Sequence, residues 1–316
     1  MMADDKGGSW ERETIEKLAF AAIREQRRAR RWGIFFKLLG FAYVTLILVL
    51  AFDWRERTEG TSEAHTALVE LNGVIGPGTD ASAEKIVAAL NAAFRDKGTR
   101  GVVVRINSPG GSPVQAQTIY DEMRRLRQKH PNVPLYAVVE DVCASGGYFV
   151  AVGADRIYVS KSSIIGSIGV RMDNFGFTGL MEKLGVERRL LTAGQNKSLL
   201  DPFLPVDEKQ REHVLGMLGD IHEQFIGVVK EGRGTRLRES PEVFSGLIWT
   251  GTRGIELGLA DGIGTLDTVA RDVIKAEAIV DYTQKENVAE KLARRFGASV
   301  ASVFAESLLR GSATLR

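Results

Sequence analysis

Residues 101–112 read GVVVRINSPGGS and combine a strand, a turn and the start of a helix. The run GVVVRI is apolar and rich in β-branched residues, which is typical of a strand buried on both faces. Pro109-Gly110-Gly111 then turns the chain, and a helix with proline at its first position is predicted over residues 113–127. A buried strand that leads through a tight turn into a helix is the repeating unit of parallel α/β sheets. This stretch therefore predicts an α/β fold.

The same alternation continues on both sides of this stretch. Because strand-like and helix-like segments alternate in the order βαβα, the sheet is expected to be largely parallel. No motif occurs twice, so the chain has no internal duplication. Further strands are predicted at residues 67–71, 134–139 and 156–159, and further helices at 82–94, 145–154, 207–231 and 251–257.

The composition excludes several classes of protein. A chain of 316 residues with 44% hydrophobic and 26% charged residues is globular over most of its length. With 42 basic and 40 acidic residues, the net charge of +2 offers no electrostatic case for binding nucleic acid. The single cysteine, Cys143, rules out an internal disulfide and a cysteine-rich zinc site. Four scattered histidines lack ligand spacing, so no histidine metal site is predicted.

An apolar run near the N-terminus, residues 33–52, reads GIFFKLLGFAYVTLILVLAF, and Lys37 is its only charge. As a helix, a run of this length spans about 30 Å, the thickness of a bilayer's hydrocarbon core. Five arginines lie between residues 24 and 31, whereas residues 53–57 are nearly neutral. The positive-inside rule therefore places the N-terminus in the cytoplasm and the remainder of the chain across the membrane.

A buried core helix and a cleaved signal peptide are the alternatives for this run. However, 32 residues precede it, and Ala51-Phe52-Asp53 is a poor cleavage site. We therefore predict an uncleaved signal anchor that binds the lipid bilayer. The expected order is a cytoplasmic segment at 1–32, a transmembrane anchor at 33–52, a polar stalk at 53–65, a catalytic domain at 66–275, and a helical or mobile C-terminal segment at 276–316.

A second glycine-rich turn, residues 141–149, reads DVCASGGYF. Ser145 lies between small residues at the end of a predicted strand, where its hydroxyl is accessible to a substrate, although a helix N-cap would have the same sequence. The Pro-Gly-Gly turn after residue 108 either closes a loop or offers backbone N–H groups to a developing oxyanion. Cys143 is either a second candidate nucleophile or a small buried residue beneath the site.

A serine nucleophile needs a base, and no histidine lies in or beside either glycine motif. A lysine can take this role where desolvation favours its neutral form. Lys197 is the candidate, because residues 192–203 (TAGQNKSLLDPF) form a small polar turn that runs into apolar residues. The alternative for Lys197 is a solvated loop lysine.

Taken together, these residues resemble bacterial signal peptide peptidase A in its short form, which carries one set of motifs. The resemblance covers about residues 66–275, in the order found in the family. The matching segments are 107–111 (NSPGG), 144–148 (ASGGY), 166–170 (GSIGV), 197–198 with 201–203 (KS and DPF), 249–251 (WTG) and 256–261 (ELGLAD).

This resemblance implies a Clp/crotonase-like fold, preceded by one transmembrane helix, and a serine endopeptidase with a Ser-Lys dyad. It implies Ser145 as the nucleophile, Lys197 as the general base and Ser167 as the residue that orients the lysine amine. The amides of Gly111 and Gly146 are implied as the oxyanion hole, and no cofactor is implied.

The resemblance also implies how and where the enzyme works. In this family the serine and lysine often come from neighbouring subunits of a ring- or dome-shaped homo-oligomer. The expected peptide substrates are remnant signal peptides and other membrane-associated polypeptides. The expected location is the bacterial inner membrane, with the N-terminus in the cytoplasm and the catalytic domain on the outer side.

Two other functions fit part of the pattern. A crotonase-like acyl-CoA hydratase or isomerase also uses strand–turn amides as an oxyanion hole, but it needs neither an anchor nor a Ser-Lys pair. A non-catalytic membrane scaffold that binds peptides needs neither Ser145 nor Lys197, and both are present.

Overall fold

The computed structural model of the chain describes residues 7–56, 63–238 and 240–284, without the side chains of residues 7–15, 18, 19, 21, 22, 29 and 48–56. Residues 57–62 of the expected stalk and residues 285–316 of the expected C-terminal segment lie outside the described part. The chain divides into two compact units, with the boundary between Gly60 and Thr61.

The first unit contains a single described helix, α1 (Gly7–Glu56). It includes the apolar run, whose side chains are exposed wherever they are described; Phe36, Leu38 and Phe41 are examples. Among the described residues, however, no helix combines the length and the apolar character needed to cross a bilayer. The transmembrane anchor predicted at 33–52 is therefore not confirmed.

The second unit is an α/β domain around an eight-stranded sheet. Its strands are β1 (His65–Asn72), β2 (Thr99–Ser108), β3 (Leu135–Ala144), β4 (Arg156–Val159), β5 (Ile164–Gly166), β6 (Ile248–Thr250), β7 (Gly262–Ile263) and β8 (Ile279–Asp281). Its helices are α2 (Ala83–Arg95), α3 (Pro113–Lys129), α4 (Gly146–Ala151), α5 (Thr178–Leu184), α6 (Glu208–Arg233), α7 (Gly251–Glu256) and α8 (Leu266–Thr268), with a 3-10 turn at Gly234–Arg236 and a π-helical turn at Val269–Ile274.

The sheet is mostly parallel, as predicted. The strands run in the order β6-β5-β3-β2-β1-β8, and every described pairing is parallel except the one between β5 and β6. Strand β3 has two neighbours on the same side: residues 136–138 pair with β4, and residues 142–144 pair with β5. The neighbour of β3 on this side therefore changes between residues 138 and 142, and β3 then ends at Ala144, directly before Ser145.

Both faces of the central strands are covered, which explains their continuous apolar sequences. In β2, Val102 and Val104 belong to the main core beneath α2, α3 and α4, whereas Val103 faces a smaller cluster. That cluster also contains Val138, Tyr158 and Val269, and the last of these comes from the π-helical turn. The carboxyl ends of β2 and β3 lead into the two glycine turns, and this edge of the sheet carries the candidate site.

The first strand corrects the expected stalk. His65 was assigned to a polar stalk at 53–65, but it begins β1 and is 1% exposed. Its Nε2 lies 3.0 Å from the hydroxyl of Tyr282, which follows β8, and its Nδ1 donates to the carbonyl of Glu63. The contact with Tyr282 joins residues 217 positions apart. The polar sequence around His65 therefore does not predict that His65 is buried. Strand β8 also carries the sheet to Asp281, beyond the expected boundary at 275.

Candidate functional site

Ser145 lies in a strained turn between β3 and α4. Its backbone has φ 52° and ψ −125°. Residues other than glycine rarely adopt this combination, which costs on the order of 1–3 kcal/mol. Two hydrogen bonds hold this turn: the Ser145 amide donates to Gly166 at 2.9 Å, and the Phe149 amide donates to the Ser145 carbonyl at 2.9 Å. Ser145 occupies the N-cap position of α4, but its hydroxyl makes no helix-capping hydrogen bond.

The Pro-Gly-Gly turn after β2 is held by Ser108, which is buried. The Ser108 hydroxyl donates to the carbonyl of Gly73 at 2.6 Å and accepts from the amide of Gly110 at 3.1 Å. On the other side of the turn, the Ile75 amide donates to the Gly110 carbonyl, and Ser112 donates back to Ile75. Gly111 contacts Ile75 so closely that a Cβ would overlap its carbonyl oxygen. The turn is therefore fixed before any substrate arrives.

These two turns lie against each other. A Cβ on Gly110 would lie 2.6 Å from the Gly146 nitrogen and 2.7 Å from the Ser145 Cβ, which is closer than atoms can approach. A Cβ on Gly147 would lie 2.9 Å from the Ser108 carbonyl oxygen. Glycine at these positions is therefore needed for the close approach of the two backbones, as well as for the turns themselves.

The contact brings together three of the residues predicted for the site. The ideal Cβ position of Gly146 is 3.2 Å from the Gly111 nitrogen, and Ser145 directly precedes Gly146 in the chain. Neither the Gly111 nor the Gly146 amide takes part in the turn and loop hydrogen bonds recorded for the described residues. Backbone N–H groups that no turn or loop bond uses, close to a serine, are the type of donor that an oxyanion requires.

Ser167, the predicted orienting residue, lies in the neighbouring turn after β5. Gly166 and Ser167 both have positive φ, 103° and 53°. The Ser167 amide donates to the Leu247 carbonyl at 2.8 Å, while the Gly166 carbonyl accepts from Ser145. This backbone hydrogen bond connects the Ser167 turn to the serine turn.

Lys197 is the predicted general base. Among the described residues, no hydrogen bond or salt bridge joins its amine to Ser145 or Ser167, and its side chain is exposed. It belongs to residues 171–206, which we call the arm. The arm is organised by its own contacts, which include an Arg188–Asp201 salt bridge of 2.6 Å and stacking of Phe177 on Phe203.

His222 lies close to the site, which its position in the sequence does not indicate. It lies on α6, and its Nε2–H donates to the carbonyl of Ile168, the residue after Ser167, at 3.1 Å. Its spacing from the other histidines suggests no metal-ligand set. The hydrogen bond to Ile168 forms only because α6 packs against the turn that follows β5. Ser108 belongs to the 107–111 motif, but its hydrogen bonds to Gly73 and Gly110 have no signal in the sequence.

Cys143 is buried two residues before Ser145. It is 0% exposed, and burial raises the pKa of its thiol. Because the thiolate is the reactive form, Cys143 is a poor nucleophile. The interpretation of Cys143 as a small buried residue is therefore confirmed.

We expect N-ethylmaleimide to leave Cys143 of the native protein unmodified, and any activity of the protein unchanged, because the reagent reacts with an exposed thiolate. Activity and thiol modification would be followed in parallel. The unfolded chain should take up one equivalent, which controls for reagent quality. Inactivation in step with modification of the native chain would contradict the buried position.

Comparison with known families identifies two matching profiles. The profile described as "Peptidase family S49" matches residues 127–280, and the profile described as "Clp protease" matches residues 66–165. The first includes Ser145, Ser167 and Lys197, and the second includes the Pro-Gly-Gly turn and Ser145. The Clp-like fold implied by the sequence is therefore confirmed, with a mostly parallel sheet.

Individual relatives show the same similarity. A relative from Methanocaldococcus jannaschii with a provisional protease name is 31% identical over 218 residues, 67% of this chain and 69% of the relative. One from Enterococcus faecium, provisionally named signal peptide peptidase SppA, is 28% identical over 233 residues, 71% of this chain and 67% of the relative.

A Brucella abortus protein named Na(+)/H(+) antiporter NhaA is 44% identical over 214 residues. That match covers 66% of this chain but only 29% of the antiporter. The chain thus spans less than a third of that relative, and the corresponding share is 28% for the antiporter of the same name from Brucella melitensis.

Proposed function

Because the chain belongs to peptidase family S49, we propose that it is a serine endopeptidase with Ser145 as its nucleophile, and that it degrades cleaved signal peptides at a membrane. One observation carries the proposal. Ser145 sits in a strained turn that lies against a second glycine turn, and the Gly111 and Gly146 amides at this contact take no part in the turn and loop hydrogen bonds of the described residues. Strain of this kind concentrates at functional positions, where the surrounding structure maintains it.

The proposed reaction starts with proton transfer from the Ser145 hydroxyl to a neutral Lys197 amine. Oγ attacks the peptide carbonyl, and the Gly111 and Gly146 N–H groups donate to the resulting oxyanion. The C–N bond then breaks, the amine product takes the proton from the Lys197 ammonium, and an acyl-enzyme remains. Lys197 next activates a water molecule, which hydrolyses the ester and returns the proton to Ser145.

The base is proposed to come from a neighbouring copy of the chain. A lysine acts as a base only where burial favours its neutral form, and Lys197 is exposed in the single chain. The arm that carries it also exposes large apolar side chains, among them Phe175, Leu191 and Val206 at 75%, 96% and 77% exposure. A second copy packed on the arm would cover these side chains and desolvate the lysine.

Mixing two inactive variants tests this arrangement. Ser145→Ala and Lys197→Ala chains would be purified, dissociated, mixed in equal amounts and reassembled. If each site combines the serine of one chain with the lysine of the next, activity should return at about a quarter of the sites, since chains pair at random. Mixtures as inactive as either variant alone would show that both residues act within one chain.

The membrane location is proposed from the apolar stretch of α1. Its described side chains between Ile34 and Ile47 are exposed and mostly apolar, which is an unfavourable surface in water. We expect the full chain to remain in the membrane fraction after alkaline carbonate extraction. Replacing both Leu46 and Ile47 by lysine should release it. Release of the unmodified chain would overturn the anchor and leave the peptidase proposal intact.

Peptide hydrolysis by the purified full chain in detergent tests the function itself. An apolar, signal-peptide-like fluorogenic peptide should be cleaved at least about 10-fold faster than a polar peptide of equal length, because apolar contacts to substrate side chains discriminate by this order. A serine-directed fluorophosphonate should abolish both activities. No cleavage of either peptide, or hydration of an enoyl thioester instead, would overturn the proposal. Equal rates would reject only the substrate preference.

A further inference from the structure

We propose that Trp249 is a positioning residue that holds the Ser145 turn in its reactive shape by packing on Gly166. This inference rests on the proposed function, because it assigns a role relative to a nucleophilic Ser145. Trp249 is the middle residue of the edge strand β6, and it is partly buried against the main core. It lies 104 positions after Ser145 in the sequence, and the sheet connects the two.

The first step of the connection is a contact between the indole ring and Gly166. A Cβ at Gly166 would lie 3.0 Å from Trp249 Cδ1 and 3.5 Å from Trp249 Nε1. The ring therefore occupies the space directly above the Gly166 α-carbon. Gly166 has φ 103°, a conformation that favours glycine. Because glycine has no side chain, contacts from neighbouring residues must hold this conformation.

Backbone hydrogen bonds provide the second step. Gly166 pairs with Ala144 on one side and with Ile248 on the other. Its carbonyl accepts from the amide of Ser145 at 2.9 Å, and the next residue, Ser167, donates to Leu247 of the segment leading into β6 at 2.8 Å. Any movement of Gly166 is thus transmitted directly to the residue that carries the nucleophile.

The strain in this region explains why a support is needed. Gly166, Ser167 and Ser145 all have positive φ, at 103°, 53° and 52°. Two of them are not glycine, and such conformations persist only where the surroundings over-determine them. Hydrogen bonds hold the edges of the two turns, and the Trp249 ring packs on Gly166 beside the Leu247 carbonyl oxygen.

The indole nitrogen indicates that the ring acts through its shape. Trp249 Nε1 is buried and has no hydrogen-bond partner within the described part of the chain. A buried unpaired donor is unfavourable, so the N–H group itself makes no stabilising contribution here. The position of the ring is therefore explained by the packing of its apolar surface on Gly166.

Three variants of the full chain test the proposal: Trp249→Ala, Trp249→Phe and Ile248→Ala. Ile248 is the matched control, because it neighbours Trp249 on β6 but its side chain is 56% exposed. The readouts are the rate at which a fluorophosphonate labels Ser145, kcat and KM for a peptide, and the thermal midpoint. Trp249→Ala should slow labelling and lower kcat by at least about 10-fold, with KM changed less than 3-fold, since only the geometry of the nucleophile is disturbed.

Trp249→Phe keeps an aromatic ring and removes the N–H, so it should retain at least about half of the labelling rate, as should Ile248→Ala. Labelling of Trp249→Ala at the wild-type rate would overturn the inference while leaving the peptidase proposal intact. Equal losses in Trp249→Phe and Trp249→Ala would also overturn it, because the N–H would then be the active feature. If the wild-type chain is not labelled at Ser145, the proposed function and this inference both fail.

Discussion

Ser145→Ala is expected to lower kcat for peptide hydrolysis by about 10⁴- to 10⁶-fold, the range seen when a catalytic serine is removed from an enzyme that acts through an acyl intermediate. The substitution deletes the atom that becomes acylated, and nothing else in the site can replace it. Cys143, the nearest alternative nucleophile, is buried and poorly ionised. The activity would be measured with a fluorogenic peptide on wild type and variant prepared side by side.

The fold should tolerate this change. Alanine at position 145 carries the same positive-φ strain as serine, and the serine hydroxyl makes no capping hydrogen bond that would be lost. The thermal midpoint should therefore stay within about 2 °C of the wild-type value, because surface-like substitutions of this kind cost little. Residual activity above about 1% of wild type in a folded variant would contradict the assignment, given that acylation has no second route.

Ser163→Ala is a matched control, because it should lower stability and leave activity largely unchanged. Ser163 is buried, accepts from the Ser160 amide at 3.0 Å and donates to the carbonyl of Glu140. Its removal should destabilise the domain by about 1–3 kcal/mol, because the Ser160 amide loses its partner. Most of the peptidase activity should remain. Loss of activity without loss of stability is thus specific to position 145.

Asp261→Asn is expected to cause the largest loss of stability, about 3–5 kcal/mol, because it leaves a buried charge without its counter-ion. Arg233 is 1% exposed and forms a two-pronged pair with Asp261, with N–O distances of 2.8 and 2.9 Å. The same carboxylate accepts from the Ile157 amide at 2.7 Å and lies 3.1 Å from Arg236. It therefore joins the end of α6 to the start of β4.

Thermal and urea unfolding of the full chain would measure this loss. For a domain of this size, 3–5 kcal/mol corresponds to a fall in Tm of about 6–20 °C. Asp272→Asn is the matched control, since Asp272 pairs with Arg271 on the surface and both side chains are more than half exposed. It should change Tm little, because exposed ion pairs contribute little. Equal effects of the two substitutions would contradict the structural role of Asp261.

The Arg233–Asp261 pair predicts that the stability of the fold depends on pH. Burial raises the pKa of the Asp261 carboxyl, but the hydrogen bonds and charge of Arg233 outweigh this, and the pKa lies below the ordinary value of 3.8. A lowered pKa means that the carboxylate stabilises the fold above about pH 4 and loses this effect as the pH falls through its folded pKa. The stability difference between wild type and Asp261→Asn should therefore shrink below pH 4. A difference that is constant from pH 7 to pH 3 would contradict this.

The sequence was sufficient to predict the parts of the fold that depend on local patterns. The strand–turn–helix unit at 101–127 and the next strand at 134–139 were predicted from apolar runs, glycine turns and proline at a helix start. The strands and helices found there extend the predicted ones by a few residues, as in β3, which ends at Ala144. Local composition also singled out the turn that carries Ser145.

Features that depend on distant pairings could not be predicted in this way. Strands β5, β6 and β8 are three residues each, too short to show a periodic pattern, and they exist because the neighbouring strands pair with them. The contact of Trp249 with Gly166 is made across β5 and β6 for the same reason. His65 was misassigned because its partner, Tyr282, lies at the other end of the domain.

The candidate site was predictable to a similar degree. Ser145, Gly111 and Gly146 meet because consecutive parallel strands end at one edge of the sheet, which the βαβ order implies. The positive φ of Ser145 and Ser167 is a consequence of how the turns pack and is not encoded in either residue type. The place of Lys197 relative to Ser145 depends on the arm, so that assignment stays a prediction.

The most direct test of the account is to trap the acyl-enzyme. The full chain would be mixed with a peptide substrate, quenched with acid during turnover, digested with trypsin and analysed by mass spectrometry. Ser145 is the only serine in the tryptic peptide of residues 130–156. The account predicts that this peptide gains the mass of the substrate's acyl fragment and that Ser145→Ala protein gains none. Steady peptide hydrolysis with the acyl fragment on another residue would contradict it.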